Sequence, residues 1–485
     1  MTTLTAEALA LIVFLPLLAA CATVALPRRW LAGVILFGLL PLPLLLLPPT
    51  VEVLDQGVFR MALAGHASPL GIEWRLDPLS LLMLWLNTGI TLLISLHAGF
   101  SFPPDSDAGR RFWPLWLILF ASMNALLLSA DLFNLYVTLE LVTLAAIGLI
   151  TVDGKPLALR AGMRYLLLAL MASLLYLLGV GLIYGQTGTL DLYLVAERIE
   201  LAWLPVTAMA LMIVGLLIKS AIFPLHAWLP AAHGNAPGPV SAILSAMVVK
   251  VSIYIIWRLW FWTAADWDLQ AVASLMGLLG GAAILYGSLA ALVQVRLKMI
   301  VAYSTVAQLG YLMLLFPLAS TLAFQAASYH LLSHGLAKAA MFLAAANILK
   351  SIGTDRLGRL AGIDQRLPLD VFAFALGGVS IMGLPPSGGF VAKWLFLEAA
   401  WAQQAWGWLT LIAVSGLLAA AYLFRVLAVV CLHPRQRLDT RSRRSMPNTA
   451  SIAAMILAMG SILAGFFSAP VLDLIAAGLP PGLAP

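Results

Sequence analysis

Of the 485 residues, 62% are hydrophobic and only 10% charged, with a mean hydropathy of +1.00, which excludes a soluble globular chain and defines a polytopic helical membrane protein. The formal charge of +6 is no sign of a nucleic-acid partner, because in a membrane the side on which each charge falls matters more than the sum. Cys21 and Cys431 stand far apart in apolar runs, so neither a disulfide framework nor a metal or iron–sulfur ligand set is expected.

In chain order, the first apolar run, 8–26, has the look of a signal peptide, and Leu18-Ala19-Ala20-Cys21 matches a lipoprotein cleavage box. Glu7 stands where a basic residue would precede such a peptide, and Arg28 and Arg29 follow the run. An uncleaved helix with its N-terminus outside is therefore expected. A second run covers 30–47, and 50–73 reads as an external loop, irregular or in short strands. Spans follow over 78–100, 112–129, 132–150, 162–184, 203 to beyond a break at Pro224, and 240–263. The second half offers 269–293, 300–318, 321–349, 371–400, 407–430 and 449–467. The expected total is fourteen helices in a cell inner membrane, with both termini on the outer side.

That threading places eighteen of the 27 Lys and Arg in cytoplasmic connections, among them an arginine-rich loop from Arg435 to Arg444. Four fall outside (Arg60, Arg75, Arg198 and Arg258). Five lie within the membrane: Lys219, Lys250, Lys338, Lys393 and, nearer a cytoplasmic end, Arg425. An error of one helix would scramble this sorting.

Two spans carry breakers beside a lysine. Pro224 follows Lys219 by five residues, and Gly383-Leu384-Pro385-Pro386-Ser387-Gly388-Gly389 precedes Lys393; Pro removes a backbone donor and disfavours helix in the residue before it. The breaks are five helices apart, an odd number, so the two copies run in opposite directions. Broken helices in corresponding positions of inverted halves point to an ion pathway at their interface. The chain then divides into 1–111 with three leading helices, a first repeat 112–263, a second repeat 264–431, and 432–485 with a loop and the last helix. The competing reading takes both breaks as proline kinks of long helices.

Glu140 lies about eight residues into its span, roughly 12 Å from the edge. Together with the four lysines, leaving it unpaired would cost roughly 12 to 18 kcal/mol. These groups must face the bundle interior and pair or meet water. His330, His334 and Lys338, at spacing four and four, stack on one helix face over roughly 12 Å and look like a proton relay. A metal site at His330 and His334 is disfavoured, since no acidic residue accompanies them and Lys338 is one turn on; a bis-histidine haem would need histidines on a second helix. His226 and His233 fall in the connection after Pro224, where capping or solvation competes with a relay role.

Glu140, Lys219 ahead of FPLHAWLPAAHGNAPGPVSA, Lys250, HLLSHGLAKAAMF and GLPPSGGFVAK together closely resemble the antiporter-like proton-translocating subunits of respiratory complex I, membrane-bound hydrogenases and Mrp cation/proton antiporters. The resemblance spans nearly the whole chain. It implies a fourteen-helix all-α membrane fold with two inverted five-helix repeats, discontinuous seventh and twelfth helices, and a polar axis along the midplane. It also implies roles: Glu140 and Lys219 as the ion pair of the first half, Lys250 as connecting lysine, His330, His334 and Lys338 as central relay, and Lys393 as terminal lysine. A lysine at 393 is more similar to the Mrp D subunit, or the complex I subunit nearest the peripheral arm, than to the middle complex I pump. The expected function is proton translocation within a larger membrane complex, with other membrane subunits as partners, no cofactor and no catalytic chemistry in this chain; Na+ coupling and the parent complex are left open. The alternative is a self-contained secondary transporter that binds a solute at the broken helices.

Overall fold

The computed structural model describes residues 2–432 and 448–483; the arginine-rich stretch 435–444 lies outside the described residues. Among the described residues, twelve helices are long and apolar enough to cross a membrane. The first helices are α1 (Thr2–Ala25), α2 (Arg28–Gln56), α3 (Pro78–Ser101), α4 (Asp107–Leu128), α5 (Leu132–Thr151) and α6 (Pro156–Thr187). The first broken pair follows as α7 (Trp203–Lys219) and α8 (Leu229–Asn235), and then α9 (Gly238–Thr263). The second half contains α10 (Gln270–Val293), α11 (Leu297–Leu318), α12 (Thr321–Ile352), the broken pair α13 (Pro368–Met382) and α14 (Gly388–Ala402), and α15 (Trp406–Leu432). The last are α16 (Asn448–Phe466) and α17 (Ser468–Ala477).

Local chemistry sets many of the ends. Asp77 caps α3 by accepting from the Ser80 N–H at 3.0 Å with Pro78 at the first helical position, and Asp131 caps α5 by accepting from the Asn134 N–H at 2.7 Å. Ser320 and Ser387 do the same for α12 and α14. Such caps satisfy amide donors that a helix start leaves free. Gly188, Gly353 and Gly383 close α6, α12 and α13 in the left-handed conformation, which glycine adopts without a Cβ penalty.

The core is centred on α9. Its most apolar stretch is wholly enclosed by protein, and the two charged residues it carries, Lys250 and Arg258, are buried with it. It contains two π turns, Leu244–Val248 and Leu259–Thr263. Around it, α11 and α12 are mostly buried, whereas α2 and α15 present most of their surface outward.

Two features recur along the chain. Asp131 and Asp191, flanking α5 and α6, form an antiparallel bridge, and Arg296 and Arg356, flanking α11 and α12, form another, each partner displaced by 165 residues. The hydrogen bonds recur in the same register. Leu132 and Leu192 donate to Leu190 and Ala130, and Leu297 and Leu357 donate to Asp355 and Val295, at 2.7–2.8 Å.

The structure corrects the sequence reading at several points. Residues 50–56 are not loop: α2 continues to Gln56 because Pro48 and Pro49 sit in its last segment's first turn, where no amide donor is needed, and Glu52 is buried. The strands Phe59–Ala62 and Glu73–Leu76 then form an antiparallel hairpin. Arg258, expected in an external connection, is buried within α9 and clasps Asp77 with both ends of its guanidinium at 2.5 and 2.6 Å. The Ser80 and Tyr254 hydroxyls accept from the same group, which stacks over Trp262. Lys298, expected in a connection, is buried in the first turn of α11 and donates to the Ala236 carbonyl at 2.6 Å. Arg425 caps the end of α10 through the Leu292 and Gln294 carbonyls.

Candidate functional site

Each buried lysine is placed by a helix end or by a carbonyl of a neighbouring helix. Lys219 is the last residue of α7, and beyond it the backbone leaves the helix through Ala221, whose φ of +54° is rare for a residue with a Cβ. The Trp228 indole donates to the Ile218 carbonyl at 2.9 Å and so stitches the break closed. A cation suits this position because the carboxyl end of a helix carries partial negative charge. Lys219 Nζ meets Glu140 Oε1 at 2.6 Å and Thr143 Oγ1 at 3.0 Å, both on α5, and the Ser173 hydroxyl donates to the same carboxylate.

Lys250 is fully enclosed in α9 and donates to the Leu331 carbonyl of α12 at 3.0 Å. Its Nζ lies beside Gly335, where a Cβ would stand only 3.1 Å away. Lys338, one turn after His334, donates to the Val301 carbonyl at 3.1 Å and to the Ser304 hydroxyl, both on α11. The rings of His330 and His334 stack at 5.4 Å and 10° rather than sharing a hydrogen bond. His330 Nε2 approaches the Gln308 carbonyl at 3.2 Å, while neither ring nitrogen of the buried His334 has a protein partner.

At the second break the arrangement of the first returns in altered form. Lys393, in α14, donates to the Ile381 and Met382 carbonyls at 2.8 and 3.0 Å, the last of α13. It thus caps the carboxyl end of the preceding helix segment. Gly383 serves two ends here: its φ is +80°, and a Cβ would fall 2.5 Å from the Lys393 stem. Pro224 and Pro386 lie in the two breaks, each following a cis peptide, with Pro385 preceding the second.

The structure therefore brings Glu140 to Lys219, and Lys250, His330, His334, Lys338 and Lys393 into one interior row. No hydrogen bond joins the Glu140–Lys219 pair to Lys250 among the described residues. His226 packs between Phe223 and Tyr286, while His233 takes neither a capping nor a solvated place: it is fully buried against Phe342 at 4.6 Å with both ring nitrogens unpartnered by protein. Sequence reasoning missed a second polar line. His97 Nε2 meets Asn347 Oδ1 at 2.7 Å, Asn347 Nδ2 donates to Asp370 at 2.8 Å, and Ser451 donates to the other Asp370 oxygen at 2.9 Å. His97 and Asn347 border a cavity of about 540 Å³ that Arg296, Lys298 and Lys350 also line. The signal for it was only a histidine and an aspartate near span ends, and nothing local tied them together.

Fold and interior define a multi-pass helical membrane protein whose centre holds a row of cationic and imidazole side chains beside two interrupted helices. The chain belongs to the NADH:quinone oxidoreductase/Mrp antiporter transmembrane family, whose pattern matches residues 129–419. It is 34% identical to the N subunit of the NADH-quinone oxidoreductase of Desulforudis audaxviator over 440 residues, 87% of each chain. It is 29% identical to the D subunit of the Na(+)/H(+) antiporter of Alkalihalophilus pseudofirmus over 381 residues, 78% of this chain and 76% of that one. A chain in the structure of the Mrp complex from a Dietzia species superposes with a TM-score of 0.90 at 27% identity, covering 99% of this chain and 97% of that one.

Proposed function

We propose that this chain is a proton-translocating, antiporter-like subunit of a multisubunit membrane complex of the Mrp or NADH:quinone oxidoreductase kind. The observation that carries the reading is the interior row itself: one carboxylate–lysine pair at one end, then lysines and His330 held by backbone carbonyls beside His334, in a protein core that offers such charges no bulk water. A buried charge in a membrane is costly and is kept where it serves a pathway. Glu140 holds Lys219 in its charged form; when the pair separates, an ammonium without its anion gives up a proton more readily. The proton passes to Lys250 and the histidines, and by way of Lys338 or directly to Lys393. Between groups that no hydrogen bond joins, it crosses by side-chain reorientation or along water.

Counting each broken pair as one crossing gives fourteen spans, with both termini on the outer side and Lys155, Arg296 and Lys350 on the cytoplasmic side. The bridges at Asp131–Asp191 and Arg296–Arg356, in identical register 165 residues apart, support two repeats, and this threading sets those bridges on opposite faces. A solute-binding transporter is less well supported, because the polar groups form a line and not a single cluster. The test is proton translocation by the parent complex in inverted vesicles with Lys338→Ala, normalised to assembled subunit. Loss is expected; undiminished translocation, or vigorous cation/proton exchange by the purified single chain in liposomes, overturns the reading.

A further inference from the structure

The two ends of the row hold their lysines by different chemistry. Lys219 has a carboxylate at 2.6 Å. Lys393 is buried and has none within ion-pair distance among the described residues, and in the register of the two bridges the position corresponding to Glu140 is Thr305. What Lys393 has, beyond the Ile381 and Met382 carbonyls, is the ring of Tyr311, whose centroid lies 5.1 Å from Nζ. That ring, on α11, is completely buried and stands 5.2 Å from the ring of His330. Tyr311 therefore lies against both His330 and the last lysine.

The phenol group is turned elsewhere. The Ser415 hydroxyl gives its single hydrogen to the Ile412 carbonyl at 2.6 Å, so in its contact with Tyr311 it accepts and Tyr311 donates. With its proton committed to α15, Tyr311 offers Lys393 a π face and not an acid or base. A carbonyl can be kept by a neutral amine, which still has two N–H donors, whereas the quadrupole of a ring attracts the cation far more strongly than the neutral amine. We propose that Tyr311 is a positioning residue that seats the charged form of Lys393, the neutral counterpart of Glu140 in the other half, and that it does so through its ring face alone. The proposal rests on the proton-relay reading above.

The test keeps shape and changes electronics. In the assembled complex in inverted vesicles, position 311 is converted to phenylalanine, then to mono-, di- and trifluorophenylalanine by nonsense suppression, alongside Tyr311→Leu and Lys393→Ala. Tyr311→Phe should translocate protons within about twofold of the parent, successive fluorines should lower the rate stepwise, and Tyr311→Leu should lose about tenfold or more, as expected for a desolvated cation–π contact. A flat fluorine series with Lys393→Ala inactive overturns the role of Tyr311 and leaves the relay standing. Loss already complete in Tyr311→Phe at matched assembly assigns the effect to the hydroxyl and also overturns it. Normal translocation in Lys393→Ala overturns the relay reading at this end, and this inference with it.

Discussion

Replacing Glu140 by Gln keeps size and hydrogen-bonding capacity while removing one charge from a pair with 2.6 Å between Nζ and Oε1. The lysine side chain is 3% exposed and the glutamate 18%, so the ammonium left behind is the more enclosed partner. Breaking a buried pair by removing one member costs about 3–5 kcal/mol, and the partial exposure of Glu140 argues for the lower end. At a factor of ten per 1.36 kcal/mol, a step that needs charged Lys219 should slow by roughly a hundredfold. Lys219→Ala should slow it comparably. Because both changes disable one step, the double variant should be little worse than either single one, whereas independent structural roles would give additive losses. The assay is proton uptake into inverted vesicles followed with a pH-sensitive dye, normalised to assembled subunit. Near-normal uptake in Glu140→Gln at matched assembly would remove the pair from the mechanism.

Asp77→Asn should destabilise the solubilised protein by about 3–5 kcal/mol, since both Asp77 and Arg258 side chains are at most 5% exposed. Burial opposes ionisation of Asp77, but the Arg258 guanidinium, the Ser80 amide and Arg75 together outweigh it and hold the carboxyl below its ordinary value. A depressed carboxyl stabilises above its unfolded value and stops doing so as pH falls through its folded one, so the Tm gap between parent and variant should stay constant from about pH 7 to 5 and narrow only below about pH 4. A gap that already closes near pH 6 would contradict this. Gly383→Ala should impair translocation severalfold by straining the backbone and pushing on the Lys393 stem, while Gly407→Ala, with open space around it, should be silent; equal activities would show that the stem is free to move aside. For the threading, single cysteines replacing the exposed His66 and Lys155 in a Cys21→Ser, Cys431→Ser background should differ, with an impermeant maleimide labelling only position 66 in intact cells. Equal labelling at both would break the assignment of sides.

A charge inside an apolar run is a local signal, which is why Glu140, Lys219, Lys250, Lys338 and Lys393 could be picked out without any structure. The breaks were legible for the same reason, as clusters of Pro and Gly beside those lysines. Partnerships were less so. Asp77 announces itself as a helix cap before Pro78, but its bond to Arg258 spans 181 residues and has no sequence mark. Tyr311 is one more aromatic residue in an apolar helix, and only the approach of α14 and α12 gives it neighbours that matter. The stacking of His330 on His334 follows from their spacing; the absence of a hydrogen bond between them depends on ring rotation, which spacing does not fix.

The π turn at Leu244–Val248 ends two residues before Lys250. A π turn accommodates one residue more than a regular helical turn, and each residue of helix swings the chain by about 100°. The lysine thus reaches the Leu331 carbonyl and the notch at Gly335 because of how many residues precede it as well as because it is a lysine. Deleting a single codon within 244–248 would let α9 wind regularly and leave an unaltered Lys250 on its present face, whereas the same deletion elsewhere in the preceding helix would swing it by about 100°. When relatives are compared position by position, a one-residue gap in this turn is accordingly the loss of the π turn and not a change of aim, and a lysine matched across it keeps its face.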